Sequence, residues 1–485
     1  MNVYERLSDP LALIVFVITL FLPVIVGLVA LKRTRSQSDF FVGGRAMNKL
    51  VVALSAVSSG RSSWLVLGVS GMAYARGTGA LWAVAGYTIV ELIQFLTVGQ
   101  RLRDDAQRYD SITLLDWFES KFPDSRRRIR VTGALIIGVF LTAYVAAQLN
   151  GGAKTLEAAL QIPFWTALLA AAVLIVVYML LGGYIAVAYN DVVRATIMLV
   201  ALLVLPIVGL VEIGGFAGLA ESLRGTDPGL VDPFSLGVGA LIGFLGIGLG
   251  SPGQPHILVR YMSIDDPKNI RAAGLFGFAW NVVLGAGAVF VGLVGRALVP
   301  AVENLPEQDP EMAYLVLSAD FFAPALYGLL VGGIFAAILS TADSQLLVVS
   351  STVVRDVWEK VVRSDVELDE QQRLKMSRMV VLLAGIAAVL LAWGAQGLVF
   401  WLVLFAWGGL GAAIGPAVIL GLFWRRTTAS GVVAGMITGA IVTIVWRLWL
   451  RDPTGLYELI PGFAAATIAV VLVSLLSRPR GRARV

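Results

Sequence analysis

The chain has 485 residues, of which 58% are hydrophobic and only 14% charged, with a formal net charge of +5. A soluble domain of this size has no interior able to hide so much apolar surface, so the sequence describes a polytopic membrane protein. Cysteine is absent and His256 is the single histidine, which excludes disulfides, thiolate nucleophiles and Cys- or His-cluster metal sites. No nucleophile–base pair stands out either, so an enzyme is not expected.

Thirteen segments are apolar enough to span: 11–31, 50–75, 81–99, 131–157, 164–184, 191–214, 236–256, 271–297, 323–353, 377–396, 398–423, 430–449 and 458–477. The first follows a start with no basic n-region and no obvious cleavage site, so it reads as a retained helix and not a signal peptide. The second carries Ser58-Ser59-Gly60-Arg61-Ser62-Ser63 halfway along its apolar stretch. The third holds an unusual acid, Glu91. In the fourth, Tyr144 and Gln148 lie one turn apart on one helix face. Asp191 opens the sixth span, where a negative charge suits a helix N-terminus.

The seventh span crowds Gly246, Gly248, Gly250, Ser251, Pro252, Gly253 and Pro255 into ten residues. It and the second should both unwind near mid-membrane. Irregular backbone at that depth persists only where it lines a cavity. An ordinary kink explains either break alone, but the two lie five spans apart, as two inverted halves of five helices would place them. Paired broken helices point to the binding site of a secondary transporter. The ninth span contains Ser340-Thr341-Ala342-Asp343-Ser344-Gln345. Polar groups are costly in hydrocarbon, and adjacent hydroxyls beside main-chain carbonyls suit a small hard cation such as sodium. Helix–helix contact through small residues is the plain alternative.

Basic residues fall in alternate loops: Lys32, Arg33, Arg35, Arg45 and Lys49; Arg101, Arg103, Arg108 and Arg126–Arg128; Arg260, Lys268 and Arg271; Arg355–Arg378; Arg425 and Arg426; Arg478–Arg484. The loops between them are short or acidic, as at Glu303, Glu307, Asp309 and Glu311. The positive-inside rule then sets the N-terminus outside and the C-terminus in the cytoplasm, in a plasma (inner) membrane. The positive charge is a topology signal and not a nucleic-acid footprint. The expected partners are the lipid bilayer, a small solute and an ion, with no obligatory protein partner.

The chain resembles the sodium:solute symporter family, most of all its bacterial sodium/proline branch. The likeness rests on Ala53-Leu54-Ser55-Ala56, Ser111–Phe122, Gly182-Gly183-Tyr184 with Asp191, Gly253–Arg260, Ser340–Ser351, Phe405–Pro416 and Leu422–Arg426. It implies an all-α, leucine-transporter-like core of ten helices (50–423) in a 5+5 inverted repeat, one extra N-terminal helix (11–31) and two C-terminal helices (430–477). It also implies sodium bound by the carbonyls of Ser58, Arg61 and Ala337 and the hydroxyls of Ser340 and Thr341, with no organic cofactor. Asp191 matches a carboxylate thought to help the ion leave.

Two departures from that pattern bear on the site. A carboxylate in the first break of the proline branch is Gly60 here, and the next residue, usually apolar, is Arg61. A guanidinium about 5 Å from the ion would repel it by about 3 kcal/mol at an effective dielectric near 20, roughly a hundredfold in affinity. Arg61 therefore has two readings: it stands in for the ion, donating to Ser340 and Thr341 in a sodium-independent or proton-coupled carrier, or it turns away to pair with Glu91. The retained hydroxyl pair favours sodium dependence. The aromatic pocket residues of the second break are Ile247 and Ser251 here, so the pocket should be less aromatic. Tyr144, Gln148, Gln254, Ser62 and Trp64 complete the expected pocket, while Gly60, Glu91, Asp191 and Pro255 are expected in coupling or gating. His256 is expected to satisfy a backbone group. A nutrient sensor is a third, lower-ranked function.

Overall fold

The computed structural model describes residues 7–31, 37–180, 184–363, 369–395 and 397–477, and its only extended pairing there is one isolated bridge between Met47 and Ile264. Lys32, Arg33, Arg35, Gly182, Gly183, the stretch 364–368 and the basic tail Arg478–Arg484 lie outside the described residues. By length and composition, nine helices among the described residues are able to cross a membrane. The second and third expected spans run together as Lys49–Arg108, and Pro10–Leu22, Phe164–Val176 and Val238–Gly253 are apolar but shorter, so this measure does not reach thirteen.

The helices that build the site are α1 (Pro10–Leu31), α2 (Lys49–Ser63), α3 (Ser70–Arg76), α4 (Leu81–Gln94), α5 (Arg128–Leu160), α6 (Tyr184–Ile213), α7 (Val238–Leu245), α8 (Pro255–Ser263), α9 (Asn269–Leu298), α10 (Pro324–Ser351), α11 (Glu370–Gly394) and α12 (Val399–Phe423). Exposed Leu382, Leu383, Ile386 and Leu390 on α11 suit a lipid-facing surface.

Both expected breaks are present, with different widths. Asn48 starts α2 by accepting the Leu50 and Val51 amides, each at 3.0 Å. Ser58 to Arg61 stay helical, so the first break is narrower than the sequence suggested. Only Ser62 leaves the helix, at φ 48° and ψ −172°, a region that L-residues rarely adopt. Its Oγ accepts the Trp64 amide at 3.1 Å, so the chain returns to helix at once. The second break is broad. Gly246–Gly253 make tight turns, Gln254 is extended, and Pro255 opens α8, where its missing amide hydrogen is not needed.

That second break lies backbone against backbone on α12. A Cβ on Gly411 would come within 2.4 Å of the Gly250 Cα, and one on Gly253 within 2.5 Å of the Leu410 carbonyl. Trp407 of α12 donates to the Ile247 carbonyl at 2.8 Å, and Gln254 donates to the Trp407 carbonyl at 3.0 Å. α10 is buttressed in a similar way by α1, where a Cβ on Gly328 would meet the Ala12 carbonyl at 2.1 Å.

The two ends of the bundle are closed by different means. At the Arg76 end, Trp64 stacks on Phe400 with centroids 5.7 Å apart, and Phe400 in turn meets Trp401 at 4.7 Å and Phe244 at 5.8 Å. Glu311 accepts the Val399 and Phe400 amides that start α12, at 2.8 and 2.9 Å, and pairs with Lys154. Beyond these rings lies a cavity of about 520 Å³ lined by Phe244, Trp401, Arg76, Arg447 and Arg451 among others. At the opposite end Asp116 takes Arg355 at 2.8 Å and Arg130 at 3.1 Å, and Arg130 also reaches Asp356. The cavity there is only about 30 Å³ and reaches Arg260 and Ser344.

Candidate functional site between the broken helices

α2 and α10 meet through polar atoms. The Ser340 hydroxyl donates to the Ser58 carbonyl at 3.1 Å and to the Ala337 carbonyl at 2.9 Å, and the Thr341 hydroxyl donates to the Ser59 carbonyl at 3.0 Å. All of these residues are buried. Four of the five oxygens expected from the sequence thus lie along one α2–α10 seam. The fifth, the Arg61 carbonyl, sits at the break and accepts the Trp64 amide. Ser58 Oγ is buried there without a partner.

Arg61 takes the second of its two readings. Its Nε donates to Asn281 Oδ1 at 2.8 Å, one terminal nitrogen donates to the Gly60 carbonyl at 3.3 Å, and the other pairs with Glu91. The guanidinium lies over the Tyr87 ring, 3.3 Å from its centroid. Tyr87 and Asn281 lock the arrangement, since the Tyr87 hydroxyl donates to Asn281 Oδ1 at 3.0 Å and the Asn281 amide donates to Glu91. The reading in which Arg61 donates to Ser340 and Thr341 is therefore corrected: those hydroxyls bond α2 carbonyls instead.

Asp191 does not open a span at the membrane surface. α6 carries it well inside the helix, fully buried, where its Oδ2 accepts Ser55 at 2.6 Å, Ser59 at 3.0 Å and Arg260 at 3.3 Å. Arg260 also donates to Ser344, Ser59, Ser55 and the His256 carbonyl. Beside it, Arg194 donates to Asp343 at 2.6 Å. Sequence reasoning missed this network. Arg260 counted as a basic loop residue, and Asp343 was absorbed into a run of small polar residues. The signal was available: Arg194 and Asp343 are opposite charges inside two apolar spans, and such charges need partners.

The expected pocket residues gather around the two breaks. Tyr144 is fully buried on α5, and Gln148 Oε1, one turn on, accepts the Ser63 amide at 3.0 Å and its hydroxyl at 2.9 Å, so α5 holds the first break. The Tyr144 ring meets His256 edge-on, 6.0 Å between centroids. Gln254 donates to Gly250 and Trp407, Ser251 offers its carbonyl to Gln94, and Ile247 is packed in the core cluster. Five buried polar atoms around the breaks, Ser58 Oγ, Trp64 Nε1, Gln148 Nε2, Ser251 Oγ and Gln254 Oε1, have no partner. Such atoms are expensive unless something polar meets them, which suits a polar ligand. The expectation for His256 is corrected: neither ring nitrogen makes a hydrogen bond, so the ring serves by shape and only its carbonyl is used.

A profile of the sodium:solute symporter family matches residues 40–439. The chain is 35% identical to an osmoregulated proline transporter of Bacillus subtilis, over 95% of this chain and 93% of that one. It is also 35% identical to the sodium/proline symporter of Escherichia coli, over 97% and 94% of the two chains. Among solved structures, a Na+-coupled sialic acid symporter in a substrate-bound outward-open state superposes with a TM-score of 0.79 at 20% identity, covering 97% of this chain and 99% of that one. A nucleobase-cation-symport-1 transporter in a closed conformation gives 0.57 at 13% identity, over 93% and 98%. These two likenesses carry the fold, an all-α bundle of the leucine-transporter kind in which each inverted half opens with a broken helix.

Proposed function

The chain belongs to the sodium:solute symporter family, and from that premise we propose that it carries a small polar, amino-acid-like solute, proline or a relative of it, together with sodium by alternating access. The observation that carries this reading is the α2–α10 seam. Ser340 and Thr341 face α2 carbonyls while the neighbouring guanidinium is held elsewhere by Glu91, Asn281 and Tyr87. An ion among the Ser58, Arg61 and Ala337 carbonyls and these two hydroxyls would meet neutral oxygens only, which suits a cation that must be released each cycle. The sodium-independent alternative needs Arg61 at the hydroxyls, and its donors are engaged on other groups.

Each sodium entering down a potential of 100 mV contributes about 2.3 kcal/mol to solute uptake. In this reading the solute lies between the breaks, against Ser62, Trp64, Tyr144, Gln148, Ile247, Ser251 and Gln254. Gly60, in the helical turn just before the first break, and Pro255, at the end of the second, act in gating, and Asp191 receives the ion on its way out. The ten helices within 50–423 act as the inverted-repeat core, with 11–31 and 430–477 appended. The protein is a multi-pass membrane protein, and the alternation of basic loops supports an external N-terminus and a cytoplasmic C-terminus in the plasma (inner) membrane. The Arg76 end then faces outward.

Replacing Ser340 and Thr341 together by alanine tests the ion site, because it removes two ligand oxygens without adding bulk. Sodium-stimulated proline uptake should vanish in proteoliposomes while the purified protein keeps its elution profile. Normal stimulation in the double variant would overturn the site.

A further inference from the structure

The groups that hydrogen-bond the Arg61 guanidinium or lie beneath it are ones that also bind a small cation. The Gly60 carbonyl, Asn281 Oδ1 and Glu91 Oε2 accept from it, and the Tyr87 face lies beneath it. Glu91 uses one carboxylate oxygen for both Arg61 and Asn281, while Oε1 is buried with no partner. The cage therefore has more acceptor capacity than the guanidinium fills. Its fixed charge is −1 without Arg61 and zero with it. The Tyr87 hydroxyl, donating to Asn281 Oδ1 at 3.0 Å, keeps the amide oxygen turned toward the guanidinium. Gly60 is part of the same stretch of α2 whose neighbours Ser58 and Ser59 take the Ser340 and Thr341 hydroxyls, so this cage and the α2–α10 seam share one piece of helix.

We propose that this cage is a second cation site whose occupant is the protein's own Arg61, and that shortening Arg61 turns it into a sodium site. It is separate from the α2–α10 seam and does not replace the ion there. A tethered cation neutralises Glu91 in every conformation without being loaded or released, so transport should run on one sodium. Removing the guanidinium leaves a buried carboxylate, an amide oxygen and a carbonyl around a space that a small cation can enter and a choline cannot.

The inference deepens the sodium-coupled reading, and the test separates the two. The probe is sodium against choline at equal ionic strength, read as the unfolding temperature of the purified full chain. A ligand that binds only the folded state raises that temperature. Ser340→Ala with Thr341→Ala should lose the sodium-specific rise; if it keeps the rise, the seam site fails, and the cage then stands only if Arg61→Ala enlarges that rise and is overturned if it does not. Adding Arg61→Ala to that double variant should restore a sodium-specific rise, and adding Glu91→Ala as well should remove it again. In the otherwise wild-type chain, Arg61→Ala should steepen the sodium dependence of uptake from a Hill slope of about one to about two, and Arg61→Lys should leave it near one. No restored rise in the triple variant overturns the cage. If Arg61→Ala does not fold, Arg61→Gln serves in its place. If neither can be purified in choline, recovery in sodium is the expected result, and equal failure in both salts overturns the proposal.

Discussion

Two buried arginines flank the α2–α10 seam, and their surroundings differ in a way that assigns them different work. Arg61 sits among α2, α4 and α9, with one anion, one amide and one ring, and none of its partners belongs to α10. Arg260 of α8 reaches α2, α6 and α10 at once, through Ser55, Ser59, Asp191 and Ser344. Ser59 belongs to both the seam and the Arg260 network: its carbonyl takes Thr341, and its hydroxyl donates to Asp191 and to the Ser340 carbonyl. The Arg61 cluster can therefore travel as a unit with its three helices. The Arg260 cluster has to rearrange whenever α2 and α10 separate.

The largest expected effect is at Arg260. Arg260→Met takes away the nearer of the two arginines at Asp191, leaving only Arg194 at 3.8 Å, and breaking one side of a buried pair costs about 3–5 kcal/mol. Adding Asp191→Asn should restore the yield of folded protein on size exclusion but not uptake, because the cluster is part of the moving seam. Recovered uptake in that double variant would erase the contrast with Arg61. At Arg61 itself, Arg61→Met should lose folded protein for the same reason in choline, and Glu91→Gln should bring back both folded protein and uptake. A double-mutant cycle on unfolding temperature measures this, with a coupling of about 0.5–3 kcal/mol expected. A cycle that returns no coupling would show that the pair does not act as one.

How much of this was legible in the chain depends on sequence distance. The breaks announce themselves locally, through Gly246–Gly253 and the serines around Gly60, and so do the Ser340 and Thr341 hydroxyls. The choice between the two readings of Arg61 was not local. It was decided by Tyr87 and Asn281, which lie on other helices and carry no sign in their own neighbourhoods that they face a guanidinium. Arg260 misled for a physical reason: a basic residue at the end of a span looks like a positive-inside anchor whether it points to water or back into the bundle. The first break was read too wide because serines are poor helix formers in isolation, yet Ser58 and Ser59 are held in helix by contacts with α10.

A smaller effect is expected away from both arginines. Gln148→Leu removes the acceptor for the Ser63 amide and hydroxyl, and should raise the apparent constant for proline by about 1–3 kcal/mol with little change in expression. Unchanged affinity with intact uptake would leave Gln148 with a packing role only. Smallest is the pH response of the Asp116 collar. Burial raises the Asp116 carboxyl, but Arg355 and Arg130 outweigh it and hold it below the ordinary carboxylate range. A depressed carboxyl contributes stability above its unfolded value that is lost as pH falls through the folded one. Asp116→Asn should therefore melt below the wild type at neutral pH, and the two curves should converge only below about pH 4. Convergence already at pH 6 would mean that the collar is not ionic.

The glycine contact between α12 and the second break has a consequence for anyone mapping this protein by mutation. On an ordinary helix surface alanine is a deletion, and its effect measures what the missing atoms did. At Gly253 and Gly411 alanine is an insertion, because the new methyl lands on backbone that has no side chain to swing aside, and at Gly250 it lands on the buried ring of Trp407. A scan that scores these positions by lost activity will mark them as functional groups. What it will have found is the thickness of one carbon atom.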